Sequence, residues 1–136
     1  TSIRFMNYKC GLKSLIKRPI FGYGIGDVQE QMDLCYEEEN ANFPKKRYNT
    51  HNQYLFIWLS SGIIGFITFI AILFYYFKKS LQFKDEVMFS ILVLYSFTFL
   101  FENVLSRQSG VIFFCFIINY FLWNNFNKKK VLSTHE

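Results

Sequence analysis

Residues 54–77 run for 24 positions without a single charge. As an α-helix this run measures about 36 Å, enough to cross a ~30 Å hydrocarbon core with some tilt. It is predicted to be a transmembrane helix, and a chain that must place it in lipid has few folds open to it. Inside the run, Ser60, Ser61, Gly62 and Gly65 form a patch of small residues, which predicts close approach by a neighbouring helix.

The rest of the composition divides by position. Residues 1–53 hold eight Lys/Arg and six Asp/Glu, in sharp contrast to the run that follows. The whole chain is 51% hydrophobic and only 18% charged, against roughly a quarter charged in an ordinary soluble domain. That pattern excludes disorder, a collagen-like chain and an evenly mixed soluble fold. The net charge of +5 comes without RNP-like, zinc-finger or helix-turn-helix patterns, so nucleic acid is excluded as a partner.

Two shorter, mostly apolar runs follow, 87–101 and 111–123. Each becomes long enough to span if its polar end lies at the interface, the alternative being a re-entrant hairpin. Lys78, Lys79 and Lys84 precede the pair, and Lys128, Lys129 and Lys130 follow it, so both clusters are expected on the cytoplasmic side. The expected fold is an all-α membrane protein with about three transmembrane helices (54–77, 87–103 and 111–127). These are joined by a cytoplasmic loop (78–86) and a short outer turn (104–110), and end in a cytoplasmic tail (128–136). Residues 1–53 form an extracytoplasmic segment with two short amphipathic helices. In this arrangement His51 and the Glu102–Arg107 turn lie on the same outer side.

Within the outer segment, residues 3–18 show helical spacing, with Tyr8, Leu12, Leu15 and Ile16 on one face and Lys9, Lys13 and Lys17 on a neighbouring one. The apolar face suits either the membrane surface or packing on other helices. Pro19 ends the helix. In the Gly22-Tyr23-Gly24-Ile25-Gly26 segment, backbone N–H groups in front of a helix could hold a phosphate, but a tight structural turn is the expected role. Asp27 and Glu30 have the spacing of a helix start, and Val28, Met32, Cys35 and Tyr36 share one face of the helix that follows. Its acidic end, Glu37-Glu38-Glu39, reads as a solvated face, and residues 40–50 as a loop. Cys115, in an apolar run, reads as a packed thiol. We read Cys10 and Cys35 as unpaired, a bridge being open only if their segment faces an oxidising compartment.

Few residues can carry chemistry. His51, at the mouth of the long run, can take a proton from a hydroxyl, or else serve only in local hydrogen bonding. Arg4, Arg18 and Arg107 are candidates for holding phosphate oxygens. Arg107 and Glu102 flank a turn between apolar runs, where charge calls for pairing, exposure or function. No His, Cys or carboxylate stands at metal-ligand spacing, so no metal and no cofactor is expected. A transporter is disfavoured because the spans hold no mid-membrane acid.

Arg4 before Tyr8, then Pro19-Ile20-Phe21-Gly22-Tyr23-Gly24-Ile25-Gly26, Thr50-His51-Asn52-Gln53-Tyr54-Leu55 and Gly62-Ile63-Ile64-Gly65-Phe66 follow in order. This order resembles the C-terminal half of the O-antigen ligase and polymerase superfamily, over about residues 3–125. The stretch from Phe101-Glu102-Asn103 through Ser106-Arg107-Gln108 to Phe114 resembles Bacteroidetes-type members. The resemblance implies an inverting, metal-independent glycosyltransferase of the bacterial inner membrane with its site facing the periplasm. It would pass a glycan from an undecaprenyl diphosphate carrier to lipid A–core, another repeat unit or a protein hydroxyl.

Carried over by position, His51 matches the proposed base on the acceptor hydroxyl, and Arg4 the cation that holds the diphosphate. Arg18, Arg107, Glu102 and Asn52 are assigned less directly to donor or glycan binding. The alternatives are a polymerase of the same family and a non-enzymatic membrane subunit of polysaccharide assembly. Because such proteins have about ten or more spans, and this chain begins at Thr1 with no initiator Met or signal peptide, we read it as the C-terminal part of a longer polytopic protein or a truncated gene product, inactive without its N-terminal transmembrane half.

Overall fold

A computed structural model describes residues 3–39 and 50–133, with side chains for 5–39 and 50–130. The described residues form five α-helices and no strand: α1 (Ile3–Lys17), α2 (Val28–Glu39), α3 (Gln53–Phe83), α4 (Glu86–Thr98) and α5 (Gln108–Ser133), with a 3₁₀ turn at Val104–Ser106 before α5. Apart from Thr50, the loop expected at 40–50 lies outside the described residues. Two helical stretches are long and apolar enough to cross a membrane, Gln53–Phe83 and Gln108–Lys130. The third expected span, 87–103, is a helix of only 13 residues, Glu86–Thr98, about 20 Å long. It stops there because the chain beyond it bonds elsewhere: the Phe99 carbonyl accepts the Gln53 N–H (2.8 Å), and Asn103 joins Thr50.

The chain divides into two compact units. The first contains residues 3–39, 50–69 and 99–103. Its core is formed by Met6, Cys10 and Leu15 of α1, Val28, Met32, Cys35 and Tyr36 of α2, and Leu55 and Leu59 of α3. The expected face of α2 is thus the buried one. For α1, packing inside this unit is not the use made of most of the expected face. Its buried stripe is Met6, Asn7, Cys10, Ser14 and Leu15, while Tyr8, Leu12 and Ile16 are exposed.

That stripe explains a second correction: Cys10 and Cys35 form a disulfide, their Cα atoms 5.6 Å apart. Each cysteine lies on the buried face of its own helix, and the 25-residue separation gave no motif to read. Beside the bridge, the Tyr36 hydroxyl donates to Asn7 Oδ1 (2.9 Å), and burial, then the Asp33 charge, holds the phenol above its ordinary pKa.

The acidic end of α2 is not simply solvated. Lys9 pairs with Glu39, and Lys13 reaches Glu38 (3.0 Å) and Glu39 (3.3 Å). Hydrogen bonds from Lys13 and Lys9, respectively, hold Glu38 and Glu39 below the usual carboxylate range. Those to Glu38 and then Glu39 hold Lys13 above the usual ammonium range. Exposed pairs of this kind contribute little stability, so the bridge and the core carry the α1–α2 hairpin.

α3 breaks at Gly62, whose φ of 69° and ψ of −171° lie in a region essentially restricted to glycine. The segment after Pro19 fills the break. The N–H groups of Tyr23 and Gly24 donate to the carbonyls of Leu59 (2.8 Å) and Ser60 (2.9 Å), and the Ile63 N–H donates to the carbonyls of Pro19 (3.1 Å) and Ile20 (3.2 Å). Gly22, at φ +67°, passes so close that an added Cβ would stand 2.6 Å from the Leu59 oxygen. The small-residue patch therefore receives a loop rather than a helix.

The second unit contains residues 70–98 and 104–133. Asp85 caps α4 by accepting the Met88 N–H on Oδ1 (2.9 Å), while its Oδ2 accepts Asn125 Nδ2 (2.6 Å). Edge-to-face rings, Tyr95 on Phe114 and Phe83 on Phe126, join α4 and the end of α3 to α5. Cys115, expected to be packed, is an exposed free thiol.

Two outcomes test this architecture. Thiol alkylation of the denatured, unreduced chain should modify Cys115 alone of its three cysteines, and Cys10→Ser should destabilise the first unit by about 3.5 kcal/mol in the chain-entropy model. Three reactive thiols, or an unchanged thermal midpoint, would contradict the bridge. Gly62→Ala places a Cβ 1.9 Å from the Ile20 oxygen. It also forces about 1–3 kcal/mol of backbone strain, so protease sensitivity at 19–26 should rise.

Candidate functional site

Thr50, His51 and Asn52 enter α3 in single file, and each has a different task. Asn52 is the N-cap, its Oδ1 accepting the Leu55 N–H at 2.9 Å. Its amide nitrogen lies 3.5 Å from the Tyr8 hydroxyl, which itself donates to the Leu100 carbonyl at 3.0 Å. The side chain proposed for substrate contact therefore has a structural role in starting the helix. Thr50 is buried and ties the two segments together: Asn103 Nδ2 donates to Thr50 Oγ1 at 2.8 Å, and both residues are about 2% exposed.

His51 stands between these anchors with a φ of +48°, a left-handed conformation uncommon outside glycine and commonest there for Asn, Asp and His. Its Nδ1 lies 3.5 Å from Glu102 Oε1, and both side chains remain open to solvent, 39% and 50% exposed. The imidazole lines a recess of about 100 Å³ together with Tyr8, Thr50 and Phe101. Asn52, rather than His51, makes the helix cap. Strain of this kind persists only where the surroundings impose it, and here two hydrogen-bonded neighbours do so.

The other expected site residues are placed as follows. Arg4 falls in the first turn of α1, with its side chain outside the described residues. Arg18 is exposed, its guanidinium over the Tyr23 ring at 5.4 Å. With Lys17, Asp27, Glu30 and Gln31, these two residues line a cleft of about 400 Å³. The cleft carries charges of both signs, so it is not a dedicated anion site. Arg107 is exposed in the second unit, at the turn into α5, where its N–H donates to the Val104 carbonyl (3.2 Å). Glu102, proposed for substrate contact, faces His51. The glycine segment directs the N–H groups of Tyr23 and Gly24 into α3, which makes it a structural turn rather than a phosphate cradle. Among the described residues no three His, Cys, Asp or Glu side chains gather as a metal site would require.

Residue-by-residue reading missed Tyr8, Phe101 and Asn103 as the walls and anchor of this site. Asn103 directly follows the acid that ends an apolar run, a signal that only acquires meaning once Thr50 is known to oppose it.

A curated protein of Haemophilus influenzae, described only as uncharacterized, is 30% identical over 131 residues, covering 85% of this chain and 33% of that protein. The chain thus spans about a third of that relative's length. No solved structure matches. A family model described as O-antigen ligase matches residues 1–70, which include α1, the glycine segment, His51 and the Gly62 break. The chain belongs to the O-antigen ligase family.

Proposed function

We propose that this chain is the acceptor-activating part of a membrane glycan ligase. The enzyme transfers a glycan from undecaprenyl diphosphate to an acceptor hydroxyl of the lipopolysaccharide core, at the periplasmic face of the bacterial inner membrane. The observation that carries the reading is His51, a strained, solvent-open imidazole in a recess, with a carboxylate beside it and its neighbours occupied in structural bonds. A group so placed is suited to take a proton from a hydroxyl as it attacks a sugar.

In this reading Arg4, and Arg107 where the full protein brings it near, balance the charge that develops on the departing diphosphate. Arg18, beside Tyr23 and two carboxylates, contacts sugar hydroxyls. Asn52 acts only through the helix it caps. The segments missing relative to the longer homologue supply the rest of the lipid-carrier groove.

The disulfide supports the orientation, because such bonds persist in oxidising compartments such as the periplasm. It agrees with the basic clusters at Lys78–Lys84 and Lys128–Lys130, which favour the cytoplasmic side.

In the full-length protein, His51→Ala should lower glycan transfer by roughly 10²–10⁴-fold, the usual contribution of a general base, without altering expression or insertion. Unchanged surface polysaccharide in that strain would remove the catalytic reading. Orientation is checked separately with an impermeant maleimide on cells whose outer membrane has been permeabilised. Glu37→Cys should label and Gln82→Cys should not; the reverse would place the recess in the cytoplasm.

A further inference from the structure

We infer that Glu102 is a positioning residue for His51, holding the imidazole as its Nδ1–H tautomer and presenting Nε2 to the acceptor hydroxyl. The inference rests on the reading of His51 as the base and adds what sets its proton inventory.

The imidazole ring limits where the proton can sit. A neutral imidazole has one N–H and one lone pair, and an ionised carboxylate only accepts. With Oε1 of Glu102 3.5 Å from Nδ1, the favourable arrangement puts the hydrogen on Nδ1 and the lone pair on Nε2, the nitrogen farther from the carboxylate. A base needs that lone pair.

The distance is fixed by the backbone on either side of the pair. Thr50, one residue before His51, is joined to Asn103, one residue after Glu102. Gln53, two residues after His51, donates its N–H to the carbonyl of Phe99, three residues before Glu102. These two links set the register of segments 50–53 and 99–103 and bring imidazole and carboxylate face to face. Tyr8 adds a third anchor through the Leu100 carbonyl.

Stability does not account for the pair. Both side chains are more than a third exposed, so the contact between them adds little stability. His51 is held at positive φ by the bonds of its neighbours, and that backbone turns its side chain toward Glu102.

The acceptor O–H gives its proton to His51 Nε2 while its oxygen bonds to the anomeric carbon. The bond from that carbon to the diphosphate oxygen breaks, and its electron pair leaves with the diphosphate. His51 is then an imidazolium with hydrogen on both nitrogens, stabilised by Glu102 across Nδ1. Loss of the Nε2 proton to water or the departing diphosphate restores the starting tautomer. No proton passes to Glu102 in the step.

The test uses the full-length protein in lipid nanodiscs. Glu102→Ala should lower kcat by roughly tenfold to a hundredfold, less than loss of the base itself, with KM for the lipid-linked donor unchanged. Glu102→Asp should recover part of that loss. In the ¹⁵N spectrum of labelled histidine above pH 8, the His51 signals, assigned by their loss in His51→Asn, should shift from Nδ1–H toward Nε2–H in Glu102→Ala. Should the alanine variant fail to accumulate, the isosteric Glu102→Gln decides, with a smaller fall in kcat expected. Wild-type kcat in these variants, or an unmoved spectrum, while His51→Ala is inactive, would overturn the pairing and leave the ligase reading standing. Transfer that survives in His51→Ala would overturn the base assignment itself.

Discussion

A helix that breaks in the middle leaves backbone groups without partners, and the first unit of this protein is organised around satisfying them. At Gly62 the carbonyls of Leu59 and Ser60 and the N–H of Ile63 turn to the segment that follows Pro19. Four hydrogen bonds close the gap, and the close approach depends on two glycines at positive φ, Gly22 and Gly62. Because this segment begins where α1 ends, docking it fixes the C-terminal end of α1 against α3. Trp58 strengthens the same joint, donating its ring N–H to the Pro19 carbonyl at 3.1 Å.

The site inherits its geometry from that joint. Once α1 is anchored at one end by the docked loop and along its length by the Cys10–Cys35 bridge, Tyr8 has a defined position above the start of α3. Tyr8 then holds Leu100, which places the 99–103 segment, and Thr50 and Asn103 complete the closure. His51 lies where these restraints converge. The left-handed backbone at this residue has a cause in the bonds on either side of it.

What the amino-acid sequence discloses follows from the range of each interaction. Periodicity within a helix is local, so α1, α2 and the buried face Val28–Met32–Cys35–Tyr36 were readable to within a residue or two. The turn role of Gly22 and Gly24 was likewise readable from glycine spacing. Pairings between helices were not. The disulfide, the Lys9–Glu39 and Lys13–Glu38 contacts and the Thr50–Asn103 link join residues 25 to 53 positions apart, where no spacing rule applies. The buried face of α1 escaped for another reason. It is made largely of Asn7, Cys10 and Ser14, and a hydrophobic pattern leads instead to Leu12 and Ile16, which are exposed.

Those exposed side chains bear on how strongly the joint holds. Phe5, Leu12 and Ile16 of α1 continue into Ile20, Phe21 and Ile25 of the docked segment, all of them more than half exposed in this unit. Surfaces of this kind are stable against lipid or against other apolar helices, not against water. In such surroundings an unpaired backbone group has no water to turn to, and each one costs several kcal/mol. The hydrogen bonds that close the Gly62 break are therefore worth more there than the ~1 kcal/mol of an ordinary exposed pair. The low-dielectric setting that makes a broken helix expensive also makes its repair by the loop strong, and the same repair carries the restraint to His51.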